Sequence, residues 1–363
     1  MMKIAQVAPL WEKVPPITYG GTELVVSLLT DELVRRGHDV TLFAAGDSET
    51  LAKLDPCCDQ SLRNSEIPSS QYNLYEQMQL SKVFTQAQDF DLIHSHLGYM
   101  TFPYANLSKT PVVHTLHGII PTWMEPIFQQ HGEQNFVSIS NSQRRPELGL
   151  NYVGTAYNAI APQGFRFYPQ PNDPPYLAFL GRLSPEKGPY LAIEIAKQTG
   201  YQLKIAGKID VVDQTFFEQE IAPHIDGEQI QFLGEANHEQ KNALMGGAIA
   251  TLFPIQWREP FGLVMIESLA CGTPVIAMAM GSAPEVITHG VTGFLGHTVA
   301  ECVSAVSQLN QISRYACRAS VEKNYNFKRM TDDYEAIYQT ILQRKQQGNG
   351  RLQAPAIVIN ATN

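Results

Sequence analysis

Cysteine is scarce in this chain: 363 residues hold five, Cys57, Cys58, Cys271, Cys302 and Cys317. An odd count without a CxxC pair or zinc-ligand spacing argues against a disulfide scaffold and a structural zinc site, and fits a reducing compartment. Long apolar runs are missing as well. The longest, residues 263–280, is broken by Glu267, Gly272 and Pro274, which makes it unfit as a membrane span. The apolar stretch in residues 1–10 is too short for a signal-peptide core. The expectation is a cytoplasmic protein without membrane association. Positive charge is in short supply: 26 Lys and Arg stand against 35 Asp and Glu, a net charge of −9, with only 17% of residues charged. Residues 1–165 carry 10 basic and 16 acidic side chains, and residues 166–363 carry 16 and 19. Neither half offers the basic field that a nucleic-acid backbone requires. A small anion held by two or three well-placed cations is compatible with that balance. The GxSxG signature of nucleophilic hydrolases is absent, and no short-period repeat occurs.

What is present is 44% apolar residues on a chain longer than one core usually fills, which predicts two domains. Short apolar runs alternate with helical patterns, the signature of an α/β chain with parallel sheets. In the first half strands are expected at residues 3–8, 39–44, 91–95, 111–115, 136–140 and 154–157. Helices are expected at 22–36, stopped by Gly37, and at 75–88. Pro169, Pro171, Pro174 and Pro175 then exclude helix and interior strand alike, which puts the interdomain linker between Phe165 and Pro175. The second half restarts with strands at 176–181, 202–207, 230–233, 250–254 and 274–277. Helices are expected between them at 189–198, 213–225, 238–245 and 261–271, and a last amphipathic helix at 327–343. Ligands of open α/β sheets bind at the carboxyl ends of strands, so two such domains facing each other would enclose a deep cleft.

Several motifs fall at expected strand ends. Glu259-Pro260-Phe261-Gly262-Leu263-Val264-Met265-Ile266-Glu267 places two carboxylates eight positions apart around a helix start. If Pro260 opens the helix, the amides of Phe261, Gly262 and Leu263 are free to receive a phosphate. The carboxyl groups then lie roughly 10–12 Å apart along the axis, a span suited to the two ends of a sugar nucleotide. A plainer reading makes Glu259 a helix-dipole charge and Glu267 a solvated residue. The loop Gly181-Arg182-Leu183-Ser184-Pro185-Glu186-Lys187-Gly188 carries two cations five positions apart, as a diphosphate grip requires; its plainer reading is a solvated loop with Glu186 paired to Lys187. Tyr19-Gly20-Gly21-Thr22-Glu23 permits close backbone approach to a ligand before the first helix. His114-Thr115-Leu116-His117-Gly118 ends a strand and puts one imidazole towards the cleft and the other into the structure; alternation alone does not say which. Asp89-Phe90-Asp91 matches the DxD metal pattern of another transferase class, but it precedes a strand and so sits at the wrong end of the sheet. His94 and His96 lie close by without completing a four-ligand set.

Residues 3–343 resemble the retaining glycosyltransferases of family four, which share the GT-B architecture of two Rossmann-like domains. The likeness rests on residues 19–23, 114–118, 180–188, 259–267 and 270–277, in that order. It implies an acceptor domain at 1–168, a nucleotide-sugar donor domain at 169–326 and a helix at 327–345 that crosses back onto the first domain; the polar composition of the remainder predicts a flexible tail at 346–363. It also implies that Arg182 and Lys187 neutralise the donor diphosphate. Glu259 would touch hydroxyls of the transferred sugar, Glu267 those of the ribose, and the amides of Phe261, Gly262 and Leu263 the β-phosphate. Gly20 and Gly21 would lie near donor phosphates and acceptor, and His117 near the sugar ring, while the base would be read by backbone around Gly207, Lys208 and Leu233. The chain departs from the family pattern at Asn158-Ala159-Ile160-Ala161, where an aspartate is usual, and at Gly281-Ser282-Ala283-Pro284-Glu285, where a Gly-Gly pair is common.

The reaction so implied moves a hexose from a nucleoside-diphosphate sugar, UDP-glucose first and GDP-mannose second, to a hydroxyl acceptor, expected to be soluble. No metal or other cofactor is expected, because Arg182, Lys187 and the helix start would stabilise the leaving diphosphate by fixed positive potential. A nucleotide-sugar epimerase on the same architecture and a non-catalytic sugar-nucleotide sensor are the alternatives.

Overall fold

A computed structural model describes residues 1–17 and 20–347. Its frame is two parallel sheets. The first consists of β1 (Lys3–Val7), β2 (Asp39–Phe43), β3 (Lys53–Leu54), β4 (Leu92–Ser95), β5 (Val112–Leu116), β6 (Asn135–Ser138) and β7 (Tyr152–Thr155), in spatial order β3-β2-β1-β4-β5-β6-β7. The second consists of β8 (Tyr176–Leu180), β9 (Gln202–Ala206), β10 (Ile230–Phe232), β11 (Ala250–Phe253), β12 (Val275–Met278) and β13 (Gly293–Gly296), in order β10-β9-β8-β11-β12-β13. Most interior strands are buried over nearly their whole length, as a sheet covered by helices on both faces requires; β9 is the exception, with Gln202 and Lys204 half-buried.

Both orders reverse direction once. In the first sheet the chain moves one way from β1 to β3 and the other way from β4 onward; in the second the reversal falls between β8 and β11. At such a point the loops leaving neighbouring strands diverge and open a crevice at the carboxyl edge. Gly20 and Gly21 follow β1, His96 follows β4, residues 181–188 follow β8 and residues 254–262 follow β11. The motifs therefore sit on the two reversals.

The last helix, Phe327–Gln346, is capped by the Asn326 side chain, which accepts from the amides of Lys328 and Arg329. It packs Met330, Tyr334, Ile337, Tyr338 and Ile341 into the same core as Ile4, Val25, Leu29, Leu33, Val113 and Val137 of the first sheet and helix. Its close seating depends on Gly154, where a Cβ would stand 2.6 Å from Ile337 Cδ1. A charged seam closes the flank: Arg36 Nη1 meets Glu335 Oε2 at 2.5 Å and Asp332 Oδ1 at 2.7 Å.

Several expected elements are corrected. The strand expected at 154–157 runs from Tyr152 to Thr155, because a register shift between Phe136 and Val137 displaces its pairing with β6. The helix expected at 213–225 is a series of short turns, including a π-turn at Phe217–Ile221. Pro223 cannot donate to a helical ladder, and Phe216 and Phe217 lean on Tyr190 and Phe232 at 6.1 and 5.4 Å. The tail expected to be flexible falls, apart from Gln346 and Gln347, outside the described residues. Tyr19 of the Gly-Gly motif does so too.

Candidate functional site

The loop that follows β11 does not continue the helix backwards to Pro260. The helix is Leu263–Ala270 and its N-cap is Gly262, at φ +80°. A side chain there would also collide with Phe253, whose Cζ lies 2.7 Å from the Cβ position. Two expectations are thereby corrected. Glu259 is a loop residue and Glu267 a helical one, so helical rise does not set their separation. The open first-turn amides are Leu263 and Val264, since that of Met265 bonds Gly262 O at 3.0 Å. Phe261 and Gly262 precede the helix, and the Phe261 ring is buried against Tyr157 and Tyr325.

At the reversal between β8 and β11 the two loops interlock. Gly188 lies so close to the other loop that a Cβ would fall 2.1 Å from Pro254 O. This contact sets Lys187 beside Glu259: Nζ and Oε2 are 2.5 Å apart, Trp257 Nε1–H donates to the same oxygen at 2.7 Å, and the ammonium lies 5.1 Å from the Trp257 ring centre. Glu259 is only 8% exposed, so the pair is largely withdrawn from water. Arg182, not Lys187, takes Glu186, at 2.8 Å, and reaches Asp210 at 3.6 Å. The expected Glu186–Lys187 pair does not form.

Next to these loops a cavity of about 310 Å3 opens between the sheets. Gly20, Gly21 and Leu24 line it from the first sheet's side, and Gly181, Arg182, Gly207, Lys208, Leu263, Val264 and Glu267 from the second's. It brings together seven residues expected at the donor, Gly20, Gly21, Arg182, Gly207, Lys208, Leu263 and Glu267, and adds Val264; Lys187, Glu259, Phe261 and Gly262 are not among its walls. Leu233 is not among its walls; its amide is bonded to Ile205 O at 2.8 Å and its side chain is half exposed. The cavity also recruits Glu235, Ala236, His238 and Lys241, which sequence reasoning passed over. Lys241 Nζ meets Glu267 Oε1 at 3.2 Å. A readable signal was the capping box Asn237-x-x-Gln240, which the structure forms in both directions and which starts a helix at the carboxyl end of β10.

Of the two histidines at the end of β5, the structure sends His114 into the aromatic cluster of Phe102 and Phe136 and leaves His117 half-buried against His96; His117 is not among the walls of the donor cavity. His117 heads a buried polar chain. Gln6 Nε2 donates to the Tyr338 hydroxyl at 3.2 Å, so Gln6 Oε1 faces His96 and accepts from its Nε2 at 3.1 Å. Burial holds His96 far below the ordinary imidazole pKa. A neutral His96 then offers Nδ1 to His117 Nε2–H, 2.8 Å away. His117 is left with Nδ1 as its open, lone-pair atom, and burial holds it down to about 4. The chain continues from Tyr338 to His94 at 2.7 Å, Thr115 at 2.7 Å and Tyr334 at 3.0 Å. The last helix thus reaches the cleft through side chains of β1, β4 and β5.

Glu285 crosses to the first sheet's side, accepting from the amides of Asn141 and Ser142 at 2.9 and 2.6 Å and from the Tyr157 hydroxyl at 2.6 Å. Asp89 and Asp91 lie at the amino end of β4, where Asp91 accepts from the Lys3 amide at 2.8 Å, and neither lines the cavity.

Two family profiles match this geometry in series: "Glycosyltransferase Family 4" over residues 19–148 and "Glycosyl transferases group 1" over residues 162–314. The chain belongs to the group 1, family four glycosyltransferases. A D-inositol 3-phosphate glycosyltransferase of Mycolicibacterium smegmatis is 24% identical over 367 positions, covering 85% of this chain and 83% of that protein. A glycogen synthase of Mycobacterium tuberculosis is 25% identical, covering 80% and 81%. Among solved structures, sucrose-phosphate synthase from Thermosynechococcus elongatus gives a TM-score of 0.73 at 19% identity over 96% of this chain and 99% of its own. Anabaena HepE, in complex with UDP and glucose, gives 0.72 at 17% identity over 94% and 100%. These likenesses establish the GT-B fold for this glycosyltransferase. No helix among its described residues is long and apolar enough to cross a membrane.

Proposed function

We propose that this glycosyltransferase moves a hexose from a nucleoside-diphosphate sugar, UDP-glucose first and GDP-mannose second, to a hydroxyl acceptor, with retention of anomeric configuration and without a metal ion. The observation that carries the reading is the convergence of Arg182, Lys208, Lys241 and the helix start at Leu263–Val264 on one cavity at the reversal of the second sheet. Three cations and a helix N-terminus supply the fixed positive potential that a departing diphosphate needs. The Anabaena neighbour solved with UDP and glucose favours that donor over GDP-mannose.

In this reading Glu267, held by Lys241, accepts from the ribose hydroxyls. Lys187 turns from Glu259 towards the β-phosphate as charge grows on it, and Glu259 is released to the hydroxyls of the sugar. The bond between the anomeric carbon and the phosphate oxygen breaks, the acceptor oxygen bonds the same face, and its proton passes to the departing phosphate oxygen. His117, neutral at pH 7, accepts a sugar hydroxyl at Nδ1 and does not act as an acid. Closing the cleft excludes water from the short-lived cation.

The test is a panel of sugar nucleotides with detection of free nucleoside diphosphate, run with and without chelator. Diphosphate release with product of retained configuration, undiminished by chelator, supports the reading. An isomerised donor would move it to epimerisation, and binding without turnover to a sensor.

A further inference from the structure

A second cavity, of about 380 Å3, lies on the other side of Gly20 and Gly21, at the reversal of the first sheet between β1 and β4. It shares those two glycines with the donor cavity, so a molecule held in it would adjoin the donor. Its size falls within the range of small-molecule sites, about 300–1,000 Å3. Its charged walls are three carboxylates, Glu12, Glu23 and Glu76, and one guanidinium, Arg63. Arg63 is already engaged, with Nη1 at 2.8 Å from Glu12 and its head 5.4 Å from the Trp11 ring centre. The one imidazole in the wall, His96, is held neutral by burial. The cavity walls are therefore net acidic, whereas the neighbouring cavity sets Arg182, Lys208 and Lys241 against Glu235 and Glu267.

Glu23 is only 6% exposed; its own backbone amide and the charge of Arg63 favour the carboxylate, but the cost of burial outweighs them. A carboxylate so withdrawn from water is costly. It makes sense where a ligand brings the donors. Glu76, 5% exposed, is oriented by the Trp11 indole and the Leu10 amide and retains acceptor capacity. Burial raises both carboxyls to about 7, where each alternates between accepting and donating, as a sugar hydroxyl does.

We infer that this cavity is the acceptor site and that it takes an unphosphorylated sugar or polyol, bound by hydroxyls to Glu23 and Glu76, and rejects phosphorylated acceptors. The inference rests on the transferase reading above and narrows it. Above pH 7, where both carboxyls are largely ionised, a phosphate placed there would face two buried carboxylates with a single, already paired cation. That repulsion is expected to lower kcat/KM by about 100-fold or more relative to the unphosphorylated partner.

The experiment uses the full chain with whichever sugar nucleotide the donor panel selects. Nucleoside diphosphate release above acceptor-free hydrolysis is measured for glucose and glucose 6-phosphate, fructose and fructose 6-phosphate, maltose and maltose 1-phosphate, and myo-inositol and its 3-phosphate. Stimulation by an unphosphorylated member, with its phosphorylated partner far weaker, is the expected result. Glu76→Gln should raise that acceptor's KM by about tenfold and narrow the discrimination, the worth of one hydrogen bond to a charged group. The discrimination of the unaltered protein stands without any variant. Preference for a phosphorylated member overturns the inference, and so does silence of every unphosphorylated member while the donor is still hydrolysed. If no sugar nucleotide is bound or cleaved, the transferase reading itself fails and takes the inference with it.

Discussion

Lys187→Ala separates two jobs that one ammonium performs. In the resting structure Lys187 neutralises Glu259 at 2.5 Å, and both side chains are largely buried, 17% and 10% exposed. Removing one partner of such a pair leaves an uncompensated charge and typically costs about 3–5 kcal/mol. Here the Trp257 indole still donates to the same oxygen at 2.7 Å, so the lower end, about 3 kcal/mol, applies. For a domain of this size that lowers Tm by about 6–12 °C. In the proposed reaction the same group turns to the departing diphosphate, and loss of one preorganised charge there is expected to cost about 100- to 1,000-fold in kcat or more. Adding Glu259→Gln distinguishes the two. The double variant removes both charges, so most of the lost Tm should return, while turnover stays low. Calorimetry and steady-state release of nucleoside diphosphate on the wild type, the two single variants and the double variant complete the cycle. Recovery of turnover together with Tm would refute the argument, because it would show that Lys187 serves only to hold Glu259.

Gly188→Ala should destabilise the protein by at least about 2 kcal/mol in urea unfolding, since the backbone is left-handed at φ +69° and the new methyl would meet Pro254 O; an unchanged midpoint would mean the two loops do not touch. Tyr338→Phe leaves Gln6 without its acceptor and His94 without its donor, and should cost about 1–3 kcal/mol with a loss of kcat/KM as His117 loses its orientation, whereas unaltered kinetics would uncouple the last helix from the cleft. Glu23 and Glu76 are raised in the folded state from 4.5 to about 7, so the stability they contribute is complete below pH 4.5 and is lost as pH rises through 7. Thermal melts from pH 4.5 to 8 should therefore show a decline that flattens when both are glutamine, and parallel curves would contradict the burial. Glu285→Ala removes the acceptor of the Asn141 and Ser142 amides and should speed their hydrogen exchange; unchanged protection would deny it a role in joining the two sheets.

Much of this molecule could be read along the chain, for a local reason. Buried strands announce themselves by apolar runs, prolines at 169, 171, 174 and 175 stop any regular element, and a glycine-rich loop at a strand end marks a close approach. These features depend on neighbours a few positions away. The same locality explains an error: EPFG looked like a helix start at Pro260, and only the packing of Gly262 on Phe253 delays the helix to Leu263. The strand orders are set by side-chain burial across the whole sheet, and they decided which loops diverge and hence where the cavities open. The partners of the charged groups were equally out of reach. Lys187 neighbours Glu186 in sequence yet pairs with Glu259, 72 positions on, and the last helix reaches His117 through residues scattered from Gln6 to Tyr338. By itself the sequence determined that the chain is α/β and which positions match the family's motifs. The tertiary structure decided how those residues are paired, buried and divided between two adjoining cavities of different charge, because charge and solvent exclusion depend on distance through space, and local sequence pattern does not record it.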